Sequence, residues 1–156
     1  MKTIVVYYSL DGNCSFISGE IKALIDADLI QLHTIDEKKR GKFGKFLWGG
    51  GMVFRRIKPP LKPYAFDPSA YDLIIIGAPV WAGSPAAPIK TFLTNAAITG
   101  KKTAVFVCHA GGMGDSLEKL KTLLTGNDIT AGIDFNSPGK NVEEMKKKVS
   151  EWVKGF

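Results

Sequence analysis

A chain of 156 residues, 45% hydrophobic and 23% charged, has the length of one domain, here residues 1–156, and enough apolar content to bury a core. It carries 21 Lys and Arg against 15 Asp and Glu, a net charge of +6. The excess is local: residues 38–62 hold nine basic residues and no acid, and the other residues, 12 basic and 15 acidic, are net −3, which excludes an evenly basic coat of the histone kind.

Residues 3–8, TIVVYY, are β-branched and aromatic without alternation, the pattern of a strand buried on both faces. The polar turn Ser9-Leu10-Asp11-Gly12-Asn13-Cys14-Ser15 follows, and then Phe16, Ile17, Ile21, Leu24 and Ile25 recur at helical spacing. A short strand is predicted over 28–32. Residues 38–62 read KKRGKFGKFLWGGGMVFRRIKPPLK, with Phe43, Phe46, Leu47, Trp48, Val53 and Phe54 between the charges. This predicts a helix whose apolar stripe covers a sheet and which stops at Gly49-Gly50-Gly51; interleaved basic and aromatic residues also occur where single-stranded nucleic acid or an anionic membrane is bound.

Residues 71–77, YDLIIIG, are the strongest strand signal, and Ala78-Pro79-Val80-Trp81-Ala82-Gly83-Ser84-Pro85 reads as a loop. A helix is predicted over 85–95, a strand over 103–108, the loop His109-Ala110-Gly111-Gly112-Met113-Gly114, and a helix to about residue 124 capped by Asp115 or Ser116. A last strand over 129–135 and a last helix over 139–153 complete the chain. Strands alternating with helices imply parallel βαβ units in a doubly wound α/β sheet with helices on both faces. Such a sheet binds its ligand beyond the carboxyl ends of its strands. The loops at 9–15, 78–85 and 108–115 fall there, and they are the loops richest in Gly, Ser, Asn and Pro.

The first loop joins a strand to a helix N-terminus, where backbone N–H groups and the helix dipole favour an anion. Gly12 permits positive φ, and Ser9, Asn13 and Ser15 add neutral donors. The triphosphate and dinucleotide fingerprints are absent, so a monophosphate is the expected anion. The alternative is a plain capped turn. Trp81 can stack on a planar ring or cover the sheet as core. Gly111, Gly112 and Gly114 leave room for a flat ligand. Two cysteines, Cys14 and Cys108, cannot form a disulfide framework or a four-thiolate site. The N-terminus lacks a signal-peptide pattern and the apolar run 73–83 is too short to span a bilayer, so the cytoplasm is the expected location.

Ser9-Leu10-Asp11-Gly12-Asn13-Cys14 resembles the flavodoxin phosphate loop, Ser/Thr-x-Thr-Gly-Asn-Thr. Gly77-Ala78-Pro79-Val80-Trp81-Ala82-Gly83 resembles the second flavin loop of that family, and Cys108-His109-Ala110-Gly111-Gly112 stands in place of the third. The resemblance extends from Lys2 to Val153 and is to the short-chain form. It implies five parallel strands in the order 2-1-3-4-5 and non-covalent flavin mononucleotide (FMN). The phosphate would lie on Ser9, Leu10, Asp11, Gly12, Asn13 and Cys14. The ring would lie near Pro79, Val80, Trp81, Ala82 and Gly83 and near His109, Ala110, Gly111, Gly112 and Gly114. Electron transfer of flavodoxin type is implied, with an FMN-dependent NAD(P)H:quinone or flavin oxidoreductase as the alternative; a non-redox binding module using residues 38–62 is the reading from another class.

Asp11 and Cys14 replace the family's threonines, so weaker phosphate binding is expected; Asp11→Thr should raise FMN affinity, and an unchanged dissociation constant would refute this. His109, if beside the ring, can alter its potential by protonation, or it is a loop histidine without a role. His33 is expected to be structural. The expected partner is a redox protein or small electron acceptor, acidic in the sharper version, docking near residues 38–62; nucleic acid and membrane are disfavoured.

Overall fold

The computed structural model of the chain describes residues 1–36 and 48–156 in full and residues 42–47 by backbone alone. Three apolar runs form its centre: β1 (Thr3–Tyr8), β3 (Leu73–Trp81) and β5 (Lys102–His109). The flanking strands are β2 (Asp28–Leu32) and β6 (Asp128–Asn136), and the order is β2-β1-β3-β5-β6, all parallel. A two-residue strand, β4 (Ser84–Pro85), pairs antiparallel with β3 outside this path. Leaving β4 aside, the order is the expected 2-1-3-4-5.

The sheet carries helices on both faces because each central strand presents apolar side chains to both. Val5, Tyr7, Ile75, Phe106 and Cys108 pack with Ile17 and Ile21 of α1 (Asn13–Ile25) and Met145 and Val149 of α5 (Val142–Val153). On the other face Ile4, Val6, Ile74, Ile76 and Val107 pack with Ile89 and Phe92 of α3 (Ala87–Ala96) and Leu120 of α4 (Ser116–Thr122). Two fully buried faces explain the missing alternation.

Two expectations are corrected. Residues 78–81 continue β3 rather than forming a loop, and the chain reverses through Ala82 (φ 47°) and Gly83 (φ 66°) into β4. Positive φ at both central positions gives the turn whose twist matches a hairpin. The second correction concerns α2 (Lys42–Phe54), which runs through Gly49-Gly50-Gly51 instead of stopping there. A Cβ at Gly49 would lie 2.9 Å from Cδ2 of Trp81, so that glycine lets the helix approach the indole. Tertiary packing overrides the helix-breaking tendency of about 1 kcal/mol per glycine. Lys38, Lys39 and Arg40, and the side chains of Phe43, Phe46 and Leu47 on which the expected apolar stripe rests, lie outside the described residues.

Candidate functional site at the carboxyl edge

The loop after β1 is built as an anion cradle. Gly12 caps α1 in the left-handed conformation (φ 88°), and a Cβ there would meet nothing within 4 Å. The Ser9 hydroxyl accepts from the N–H of Ser15 at 3.2 Å, and the Gly12 carbonyl accepts from Phe16 N–H at 2.9 Å. Gly12 has no side chain with which to cap α1, and apart from the Ser9–Ser15 bond none of the hydrogen bonds among the described residues closes on the N–H of Asn13 or Cys14. Unspent amides at the positive end of a 13-residue helix fit a phosphate. Asp11 is exposed, so water screens its carboxylate from an anion held by the backbone.

Cys14 turns away from this cradle. It is buried in the core against Cys108, and both thiols are free. Burial, and next the hydrogen bond and charge of Cys108, push the Cys14 thiol up. The buried thiol is thus not exposed as a donor in the cradle, which leaves the backbone N–H of Cys14 as the group that could serve an anion there.

Trp81 ends β3 and forms the second wall. Its ring meets Tyr8 edge-on at 5.6 Å and Trp48 of α2 at the same distance. Trp81 is half-buried and packs on the core, as the covering reading expects, and it keeps part of its surface exposed. Pro79 and Val80 run into the hairpin, and the Pro79 carbonyl accepts from Ala86 N–H at 2.9 Å. The Lys119 ammonium of α4 donates to the Gly83 carbonyl at 3.1 Å and the Ser84 hydroxyl at 3.3 Å, pinning the turn.

The third loop closes on the second. A Cβ at Gly114 (φ 51°) would lie 3.3 Å from the Cα of Gly83. Gly111 (φ 98°) donates its N–H to the Asn136 side chain at 3.4 Å, and the carbonyl of His109 accepts from Ser137 N–H at 2.7 Å. The 3-10 turn Pro138–Lys140 brings Gly139 beside Asn13: a Cβ there would stand 3.6 Å from the side-chain Oδ1 of Asn13. One turn after β6 thus ties the third loop to the phosphate loop. Ala110 and Gly112 are exposed between these anchors.

His109 has a partner that the loop reading missed. Its Nε2 lies 2.7 Å from Asp134 Oδ2, and its side chain is 8% exposed. Its Nδ1 is buried with no hydrogen-bond partner among the described residues. Burial opposes ionisation of Asp134, but the hydrogen bond from His109 and the charge of Lys148 outweigh it and hold the carboxyl below its ordinary value of 3.8. Asp134, Asn136, Ser137 and Gly139 were all outside the predicted site. The turn-rich run Asn136-Ser137-Pro138-Gly139 at a strand's carboxyl end was the available signal.

Positive charge gathers beside the hairpin. Burial, and next Lys119 and Arg56, push the Lys90 ammonium of α3 down. Exposed Arg55, Arg56 and Lys58 continue this field along the exit from α2. His33 lies where its carbonyl accepts from Lys62 N–H at 2.8 Å, which ties the basic segment to the end of β2.

A family model described as Flavodoxin matches residues 48–156. Among solved structures, the chain is similar to a flavoprotein of Lactobacillus acidophilus in complex with FMN, at 23% identity over 92% of this chain and 97% of that one, TM-score 0.75. It is also similar to a putative flavoprotein of Bacteroides uniformis, at 20% identity over 98% and 97%, TM-score 0.82. A third is the two-electron reduced flavodoxin of Megasphaera elsdenii, at 17% identity over 97% and 98%, TM-score 0.60. No curated protein matches the chain. The chain belongs to the flavodoxin family. FMN is the cofactor that this membership implies, and the residues present fit it: neutral donors and unspent amides for a phosphate, and Trp81 with a glycine-rich wall for a planar ring.

Proposed function

We propose that the protein is an electron carrier of flavodoxin type which docks an acidic redox partner through residues 38–62. The observation that carries this reading is the seat of α2. Gly49 and Trp48 bring that helix onto Trp81, which supports a reading in which the exit of α2 borders the wall proposed for the flavin. Bound FMN supplies the redox-active ring. The chain's own work is to hold the phosphate on the residue 9–14 backbone, to fix Trp81 between Tyr8 and Trp48, and to brace the third loop through Asn136 and Ser137. Arg55, Arg56, Lys58, Lys90 and Lys119 supply a field that attracts an acidic surface to this edge. Among the described residues no helix is long and apolar enough to cross a membrane. The two free thiols fit a cytoplasmic setting.

A second reading, an NAD(P)H-dependent oxidoreductase, draws on the cations Lys90, Lys119 and Arg56 beside the 82–84 turn, which match nucleotide phosphates as well as carboxylates. Anaerobic mixing of the yellow protein with NADPH and NADH separates the two. The carrier reading expects negligible bleaching of the visible band by either nucleotide. It also expects a fast exchange with acidic redox proteins that slows as salt is raised. Rapid bleaching by one nucleotide, followed by turnover with quinones, overturns it in favour of the oxidoreductase. A purified protein that is colourless and does not take up FMN overturns both.

A further inference from the structure

A cavity of about 400 Å³ opens where α2 leaves the sheet, a volume within the ~300–1,000 Å³ typical of small-molecule sites. Trp48, Met52, Ile57, Pro59 and Pro60 supply most of its lining, and Thr34, Asp36 and Arg55 its polar part. The walls are fixed by the backbone. Ile35 N–H donates to the Pro60 carbonyl at 3.1 Å, and the Thr91 hydroxyl donates to the Pro59 carbonyl at 2.9 Å. Trp48 also meets Trp81 edge-on, so the cavity is a neighbour of the flavin site with its own lining.

Two further features indicate what enters it. Arg55 lies in the lining, and no acid among the described residues forms an ion pair with it, although Asp36 borders the same cavity. Arg56 and Lys58 follow it in the chain, so the local balance is positive. Gly51 also lines the cavity, in the interior of a helix where glycine costs about 1 kcal/mol relative to alanine. A Cβ there would meet nothing within 4 Å. Packing does not require that glycine, and a side chain at this position would project into the open space.

We propose that this cavity binds a small planar aromatic acid, its ring between Trp48 and the proline wall and its carboxylate on Arg55, at a site separate from the flavin's. The test is calorimetric titration of the FMN-saturated full-length protein with 2-naphthoate. One site is expected, and its affinity is the same with and without FMN. Gly51→Leu is expected to weaken it about tenfold or more while FMN affinity and melting temperature hold. Arg55→Gln is expected to weaken 2-naphthoate about tenfold, the scale of one lost charge-assisted hydrogen bond, and to leave neutral 2-naphthylmethanol unchanged. Should Gly51→Leu fold poorly, Met52→Trp fills the same space. No binding of 2-naphthoate, its displacement by FMN, or undiminished affinity in the filled variant would each overturn the proposal.

Discussion

Gly77→Ala is expected to destabilise the fold by about 3 kcal/mol, the upper end of typical overpacking costs. Gly77 sits in β3, paired with Tyr7 of β1 on one side and Phe106 of β5 on the other. A Cβ at this position would lie 2.8 Å from Cε2 of Phe106 and closer still to Cε1 and Cζ. The ring cannot swing away freely, because it packs against Phe135 at 6.0 Å and Trp152 at 6.3 Å. The strand cannot move either, since both neighbours hold it. Urea unfolding should show a lower midpoint with an unchanged slope. Phe106→Leu costs stability on its own but removes the clash, so the double variant should be more stable than the sum of the two single effects predicts. Strict additivity would show that the clash is relieved by backbone movement instead.

Gly77 also marks where the sequence stopped being readable. Through residue 77 the strands appear as short unbroken apolar runs rich in β-branched and aromatic residues, the mark of strands buried on two faces. Beyond it, Ala78-Pro79-Val80-Trp81 carry loop composition yet remain strand. Pairing with β1 ends at Gly77, so Pro79 lies past that ladder, where a missing N–H is tolerated. The glycine triplet of α2 failed for a related reason. Its effect on a lone helix is unfavourable, and only contact with Trp81, more than 30 residues away in the chain, shows why Gly49 is needed. The phosphate loop was legible because its chemistry is local: one strand end, one left-handed glycine, one helix N-terminus. The side of the site supplied by β6 was not, because it depends on register between β5 and β6. Val107 pairs with Asp134 and His109 with Asn136. That register sets Asp134 diagonal to His109, a relation that no spacing within either strand reveals.

That diagonal pair carries the second large effect. Asp134→Ala is expected to cost about 2 kcal/mol at neutral pH, because the loss falls on its buried partner. The imidazole of His109 is 8% exposed, its Nδ1 already has no partner, and removal of the carboxylate strands Nε2–H as well. Asp134 itself is about one-third exposed, so the charge–charge part of the pair is screened and contributes the smaller share. Asp134→Asn keeps an acceptor for Nε2–H and should lose about half as much. The pH dependence has a fixed sign. The folded-state pKa of Asp134 is depressed below 3.8, by His109 and Lys148 against the opposing effect of burial. The ionised carboxylate therefore stabilises the fold fully above that value, and its contribution disappears as pH falls through the lower folded-state value. Unfolding curves for wild type and Asp134→Asn should accordingly converge in acid and separate towards neutrality. A gap that stays constant with pH would mean that Asp134 holds His109 by shape and hydrogen bonding without help from its charge. Since His109 opens the third loop and its carbonyl anchors Ser137, the same variants should loosen that wall and raise the dissociation constant for FMN. Changed FMN affinity with unchanged stability would place His109 in direct contact with the cofactor, and changed stability alone would confine the pair to bracing the strand ends.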